Sequence, residues 1–212
     1  MDIQKEQQLK LKDYLTLKYD TKERFSSYWH QINEIIALTP SSVLEAGVGN
    51  KFVYDYLKKN GLNVTGVDCE KRLNPDVVAD VCCLPFGDNS FDLVSCCQTL
   101  EHLPFEEFLK ALKEIKRVAR KNAVISIPDS TRIYPFSFKL PKIGCCKIIF
   151  RLPRFKAYHG EKGTVHYWEI GRGGFPLEKI TKSITGSGFS IIKSFNVFEN
   201  PFHKFFILKK QR

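Results

Sequence analysis

Between Val43 and Asn50 the chain reads VLEAGVGN, and 21 residues beyond Gly47 stands Asp68, at the end of the apolar run VTGVD. Gly47 and Gly49 admit backbone conformations and close approaches that a side chain would block. A helix beginning just after them presents unpaired N–H groups, which suit a carboxylate or phosphate. An acid closing the second strand can accept hydrogen bonds from both hydroxyls of a ribose. Together these residues point to a nucleotide or nucleoside ligand; the glycines alone would serve a plain strand-to-helix turn equally well. A dinucleotide remains open at this point. Its fingerprint, however, needs a third glycine where Phe52 stands. Glu45, just before the glycines, adds negative charge and suits a cationic ligand.

Those residues need a scaffold. Ser42–Ala46, Asn63–Val67, Val77–Ala79, Phe91–Cys96 and Ala123–Ile127 read as short apolar strands. Helical patterns lie between them at Lys51–Lys59 and Phe105–Val118, the latter with Phe108, Leu109, Leu112, Ile115 and Val118 on one face. Alternation of this kind predicts a parallel sheet covered on both faces. Pro176–Thr185 reads as a last helix. Ser190–Val197 and Phe202–Lys209 read as a closing antiparallel hairpin. The first 40 residues read as helical, with Ser26 or Ser27 capping a helix to about Leu38 and Ile32, Ile35 and Ile36 turned inward. The expected fold is therefore α/β: a Rossmann-like, doubly wound, seven-stranded sheet, mostly parallel with a C-terminal antiparallel hairpin, helices on both faces. It forms one domain over 1–212, with a helical extension (1–40), a cofactor-binding half (41–128), a basic aromatic cap or insert (129–175), and the last helix with the hairpin (176–212).

The motif Glu45-Ala46-Gly47-Val48-Gly49 resembles the first motif of the class I S-adenosylmethionine-dependent methyltransferases, although Lys51 stands where the family often has glycine. ADVCCLPFGDNSFDLV (Ala79–Val94) and Gln98-Thr99-Leu100-Glu101-His102-Leu103 resemble later segments of that family, and of its type 11 group in particular. The similarity spans about residues 41–128. It implies S-adenosyl-L-methionine as cofactor. Glu45, Gly47, Gly49, Cys97 and Gln98 would lie around its methionyl end, Asp68 would hold its ribose, and Asp80 and Val81 would read its adenine. His102 is the side chain best placed for catalytic base work, since an imidazole changes charge near neutral pH. His166, with Tyr167 and Trp168, lines the acceptor pocket or belongs to an aromatic core.

No metal is expected. His159 and His166 flank a glycine-containing loop without a cysteine pair beside them, and the adjacent pairs Cys82-Cys83 and Cys96-Cys97 make a poor bite on one ion. The cysteines read as small buried thiols. Seven of them without a secretory signal predict a reducing, cytoplasmic location. No run of about 18 apolar residues predicts a membrane span.

The charge is uneven. Of the net +10, residues 1–40 carry 0, residues 41–129 carry −2, residues 130–165 carry +7 and residues 166–212 carry +5. The cofactor half is thus slightly acidic, which suits a sulfonium ligand. The surplus lies where the family places its acceptor. In 130–165, Arg132, Lys139, Lys142, Lys147, Arg151, Arg154 and Lys156 are interleaved with aromatic and aliphatic residues. An anionic small-molecule or lipid- or sugar-linked acceptor follows, with peripheral membrane contact through the basic cap. RNA, a non-catalytic cofactor-binding module and a plain solvated cap are the alternatives.

Overall fold

The computed structural model describes residues 16–142, 144–152 and 166–211. A seven-stranded sheet has the order β3-β2-β1-β4-β5-β9-β8. Its strands are β1 (Ser42–Ala46), β2 (Asn63–Asp68), β3 (Val77–Val78), β4 (Phe91–Cys97), β5 (Ala119–Pro128), β8 (Phe189–Asn196) and β9 (His203–Lys210). The first five run parallel. β9 is antiparallel to β5 and to β8, so the chain closes with the expected hairpin.

Helices cover both faces. α1 (Lys22–Ala37) and α2 (Phe52–Lys59) lie on one, where Ile35, Val53 and Leu57 pack with Val43, Val64 and Leu93. On the other lie α3 (Phe105–Val118) and α4 (Leu177–Gly186), where Phe108, Leu112, Ile115, Ile180 and Ile184 pack with Leu44, Val94 and Ile125. Neighbouring strand residues such as Val43 and Leu44 thus serve opposite cores, as the two-residue side-chain period requires. Strands buried on both faces read as continuous apolar runs, which made β1, β4 and β5 visible in the sequence.

Four details differ from the sequence reading. α1 begins earlier: Thr21 is its N-cap and accepts a hydrogen bond from the Arg24 N–H at 3.3 Å, while Ser26 and Ser27 lie within the helix. Ile36 faces solvent rather than the core. Of the cysteines, Cys96 is buried, whereas Cys69, Cys83 and Cys145 are exposed. The largest difference is in the basic segment, which holds regular structure that the sequence reading did not place there. β6 (Arg132–Leu140) and β7 (Gly144–Leu152) form a separate two-stranded antiparallel ribbon. Pro135 lies within β6, but a two-stranded ribbon is all edge. Pro135 needs to donate only where a partner strand accepts, so proline is tolerated there. His159, Arg154 and Lys156 lie outside the described residues.

Candidate functional site

The strand order reverses at β1. From it the chain winds outward through β2 and β3, then returns to β4 on the other side. Loops leaving the carboxyl ends of β1 and β4 therefore diverge and open a crevice, the general ligand position in such sheets. Glu45, Gly47 and Gly49 come from the first of these loops, and Cys97, Gln98 and Thr99 from the second.

The first loop is held tightly. The Gly47 N–H donates to the Val67 carbonyl at 2.8 Å, and Gly47 has φ +86°. A Cβ added there would sit 2.1 Å from Thr99 Oγ1. Thr99 in turn donates its hydroxyl to the Cys97 carbonyl at 3.1 Å. Glycine is thus required both by conformation and by the close approach of the second loop. Gln98 also has a positive φ, +53°, held by its backbone N–H on the Ser126 carbonyl (3.0 Å) and its side-chain amide on Ser126 Oγ (3.1 Å). Such backbone strain gathers where a surrounding structure fixes a site. Phe52 turns out of the loop: its ring stacks on Tyr28 at 5.1 Å and meets Phe25 edge-on, so it fastens α2 to α1.

Two carboxyls frame the crevice. Asp68 ends β2 and accepts from the backbone N–H groups of Glu70 (2.9 Å), Gly49 and Val48, tying the second strand to the glycine loop. Burial outweighs these bonds and raises its pKa. Glu45 is buried. Gln31 donates to its Oε1 at 3.5 Å, while Oε2 has no hydrogen-bond partner. Burial pushes the Glu45 pKa to about 8. Asp80 is exposed and accepts from the Cys82 N–H at 2.8 Å, and Val81 beside it is buried. Cys97 is half-buried at the end of β4, its thiol pushed up to about 12 by burial.

His102 closes a 3-10 turn, Leu100–His102, directly after the second loop. Its ring meets that of His166 edge-on, centroids 4.9 Å apart. Trp168, by contrast, is core: it is fully buried, packs on Phe105, Phe108 and Phe175, and donates its indole N–H to the Leu103 carbonyl at 3.0 Å.

Thr99 was given no role of its own within the Gln98–Leu103 segment, and Asp20 carried no signal in the sequence. Asp20, just ahead of α1, accepts from Asn50 Nδ2 at 2.8 and 2.9 Å and from the Tyr28 hydroxyl at 2.9 Å. It latches the N-terminal segment onto the glycine loop. The Arg24 guanidinium lies over the Tyr19 ring at 4.1 Å, and the Tyr19 hydroxyl feels the charges of both Asp68 and Glu101.

Residues 44–127 match the family described as “Methyltransferase domain”. The fold is that of S-adenosylmethionine-dependent methyltransferases. Among solved structures it is similar to magnesium protoporphyrin IX methyltransferase of Synechocystis (16% identical, 89% of this chain and 85% of that one covered, TM-score 0.62). It is also similar to a methyltransferase of Clostridium acetobutylicum (10% identical, 92% and 95% covered, TM-score 0.61). At such identities the likeness speaks for the fold. An uncharacterised protein of Methanocaldococcus jannaschii is 41% identical over 51 residues, a match spanning 24% of this chain and 21% of that relative's length. The orphaned, buried oxygen of Glu45 fits the family's cofactor, because a cationic ligand group would offset a desolvated carboxylate. The acid at the end of β2 fits a ribose.

Proposed function

We propose that this methyltransferase modifies an anionic, amphiphilic acceptor met at a membrane surface. The observation that carries this reading is the β6–β7 ribbon. Its register sets Tyr134 opposite Phe150, Phe136 opposite Ile148, and Arg132 opposite Leu152. One ribbon face therefore holds Tyr134, Phe136, Phe138, Leu140, Ile148, Phe150 and Leu152, all large, apolar and exposed. Tyr134, Phe136, Phe150 and Leu152 are each more than half exposed. Contiguous exposed apolar surface of this kind marks an interaction site. Lys139 on the opposite face and Lys142 at the turn supply the positive charge that an anionic lipid surface attracts, whereas Lys147 is paired with Glu199 Oε1 at 2.7 Å. Arg151 has a different task. It donates to the side-chain carbonyl of Asn196, which anchors the ribbon to the main sheet.

In the crevice, the Gly47–Gly49 backbone and Asp68 would hold the nucleoside, Asp80 and Val81 its base, and Glu45 with Cys97-Gln98 the methionyl end. S-adenosylmethionine supplies a methyl group on a positively charged sulfur, already activated for displacement. The chain's task is then alignment and exclusion of water. Where the acceptor must lose a proton, His102 would take it.

Calorimetry should show S-adenosylmethionine binding that Asp68→Ala weakens at least tenfold; no binding by the folded wild-type protein would remove the cofactor assignment. Label transfer from methyl-labelled S-adenosylmethionine into lipid, water-soluble and RNA fractions then tests the acceptor. Label is expected in the lipid fraction, reduced at least fivefold by Phe136→Asp with Phe150→Asp. Label in RNA, or lipid turnover indifferent to both changes, would overturn the membrane reading.

A further inference from the structure

Glu101 is an unusual buried acid. It is 1% exposed, and neither of its carboxylate oxygens has a hydrogen-bond partner. A desolvated carboxyl with nothing to bond costs several kcal/mol unless a counter-charge is supplied, by the magnitudes typical of buried polar groups. Two imidazoles converge on it. One ligand atom each from Glu101, His102 and His166 lies within 4.8 Å of the other two. His166 Nε2 is 4.0 Å from Glu101 Oε1.

The surrounding bonds prepare one of these rings. His166 Nδ1 lies 2.8 Å from Glu169 Oε1. With a carboxylate on Nδ1, the proton belongs there and the Nε2 lone pair is left facing Glu101. That carboxylate–histidine pairing is how proteins orient a metal-ligating imidazole. Glu169 is held in its turn by the Ser130 hydroxyl and faces Arg172 at 3.7 Å. The Tyr167 N–H donates to the Glu101 carbonyl at 2.9 Å, so the segment carrying His166 is tied to the turn carrying the other two ligands.

We propose that Glu101, His102 and His166 form a divalent transition-metal site beside the crevice. Two imidazoles and one carboxylate suit manganese, iron, cobalt or zinc. Bonds of about 2.1 Å set neighbouring ligand atoms roughly 3 Å apart, so the ligands close by about one to two ångströms on loading. Three protein ligands leave positions for water or for an oxygen of an anionic acceptor, such as a phenolate or phosphate. His102 then holds the ion rather than a proton. The site stands on geometry independent of the methyl-transfer reading.

The full chain, stripped with a chelator and desalted, should be titrated with Mn²⁺ while the free aquo ion is followed by electron paramagnetic resonance. Manganese is chosen because the exposed thiols bind it poorly. One ion per chain is expected, weakened at least tenfold by Glu101→Gln and by His166→Gln. Glu169→Ala, removing only the orienting partner, should weaken it less than His166→Gln does. Circular dichroism checks folding; should the buried Glu101→Gln misfold, His166→Gln on the half-buried segment gives the same readout. Absence of stoichiometric binding, or binding indifferent to His166→Gln in folded protein, would overturn the site. S-adenosylhomocysteine calorimetry on the same samples separates failure of the metal site from failure of the cofactor site.

Discussion

The Glu45 carboxyl shows how a single side chain can report on the crevice. Its pKa, raised by burial to about 8, lies above the ordinary value of 4.5. Between those values the folded state holds a proton that the unfolded chain has released, so stability falls as pH rises through that window. At about 1.4 kcal/mol per unit, the loss between pH 5 and pH 8 is on the order of a few kcal/mol. Glu101, raised to about 7, adds a slope of the same sign. Urea unfolding at pH 5.5 and pH 8 should therefore show the wild type less stable at the higher pH. Glu45→Gln should flatten the dependence without abolishing it; an unchanged slope would mean that Glu45 is solvated or ion-paired. Glu45, Gly47 and Asp68 were legible because their spacing follows from local strand-turn-helix geometry. Thr99 was not, since its role depends on two loops meeting across the sheet. Glu101 was likewise visible only as a residue beside His102.

At the scale of elements, the parallel strands and the helices between them were legible because each is a local pattern with its own period. The ribbon was missed because its signals conflict: prolines and bases suggest a loop, while alternating large apolar residues suggest a strand. With both edges open and one face uncovered, the strand signal prevails. The seating of α1 is another long-range fact. Asp20 joins the start of that helix to Asn50 of the glycine loop, and Phe25, Tyr28 and Phe52 form a ring cluster beneath it. Asp20→Ala removes the acceptor from both Asn50 and Tyr28. It should cost about 1–2 kcal/mol of stability and weaken S-adenosylhomocysteine binding several-fold, as thermal melting and calorimetry would show. Melting lowered with affinity unchanged would mean that the latch braces the fold without shaping the site.

Across the whole molecule, charge and apolar surface are segregated. The crevice is built from an acidic half, and the buried carboxylate oxygens without a hydrogen bond, one on Glu45 and two on Glu101, call for cations. The positive surplus begins after Asp129, and much of it lies on or near the ribbon. No helix among the described residues is long and apolar enough to cross a membrane, so contact through this ribbon would be peripheral. Segregation makes the two binding events separable by salt. Screening shortens from about 10 Å at 0.1 M to about 3 Å at 1 M. Attraction between exposed lysines and anionic headgroups should weaken steeply over that range, whereas burial of aromatic side chains is little affected. Binding to phosphatidylserine-containing vesicles should therefore fall at least tenfold between 0.05 and 0.5 M NaCl. S-adenosylmethionine affinity, set by buried groups, should change less than twofold. Lys139→Glu with Lys142→Glu should reproduce the salt effect at low ionic strength, and Phe136→Asp should reduce the residual binding at high salt. Vesicle binding that resists both salt and the lysine changes would show that the apolar face acts alone, and that the concentrated charge serves some other contact.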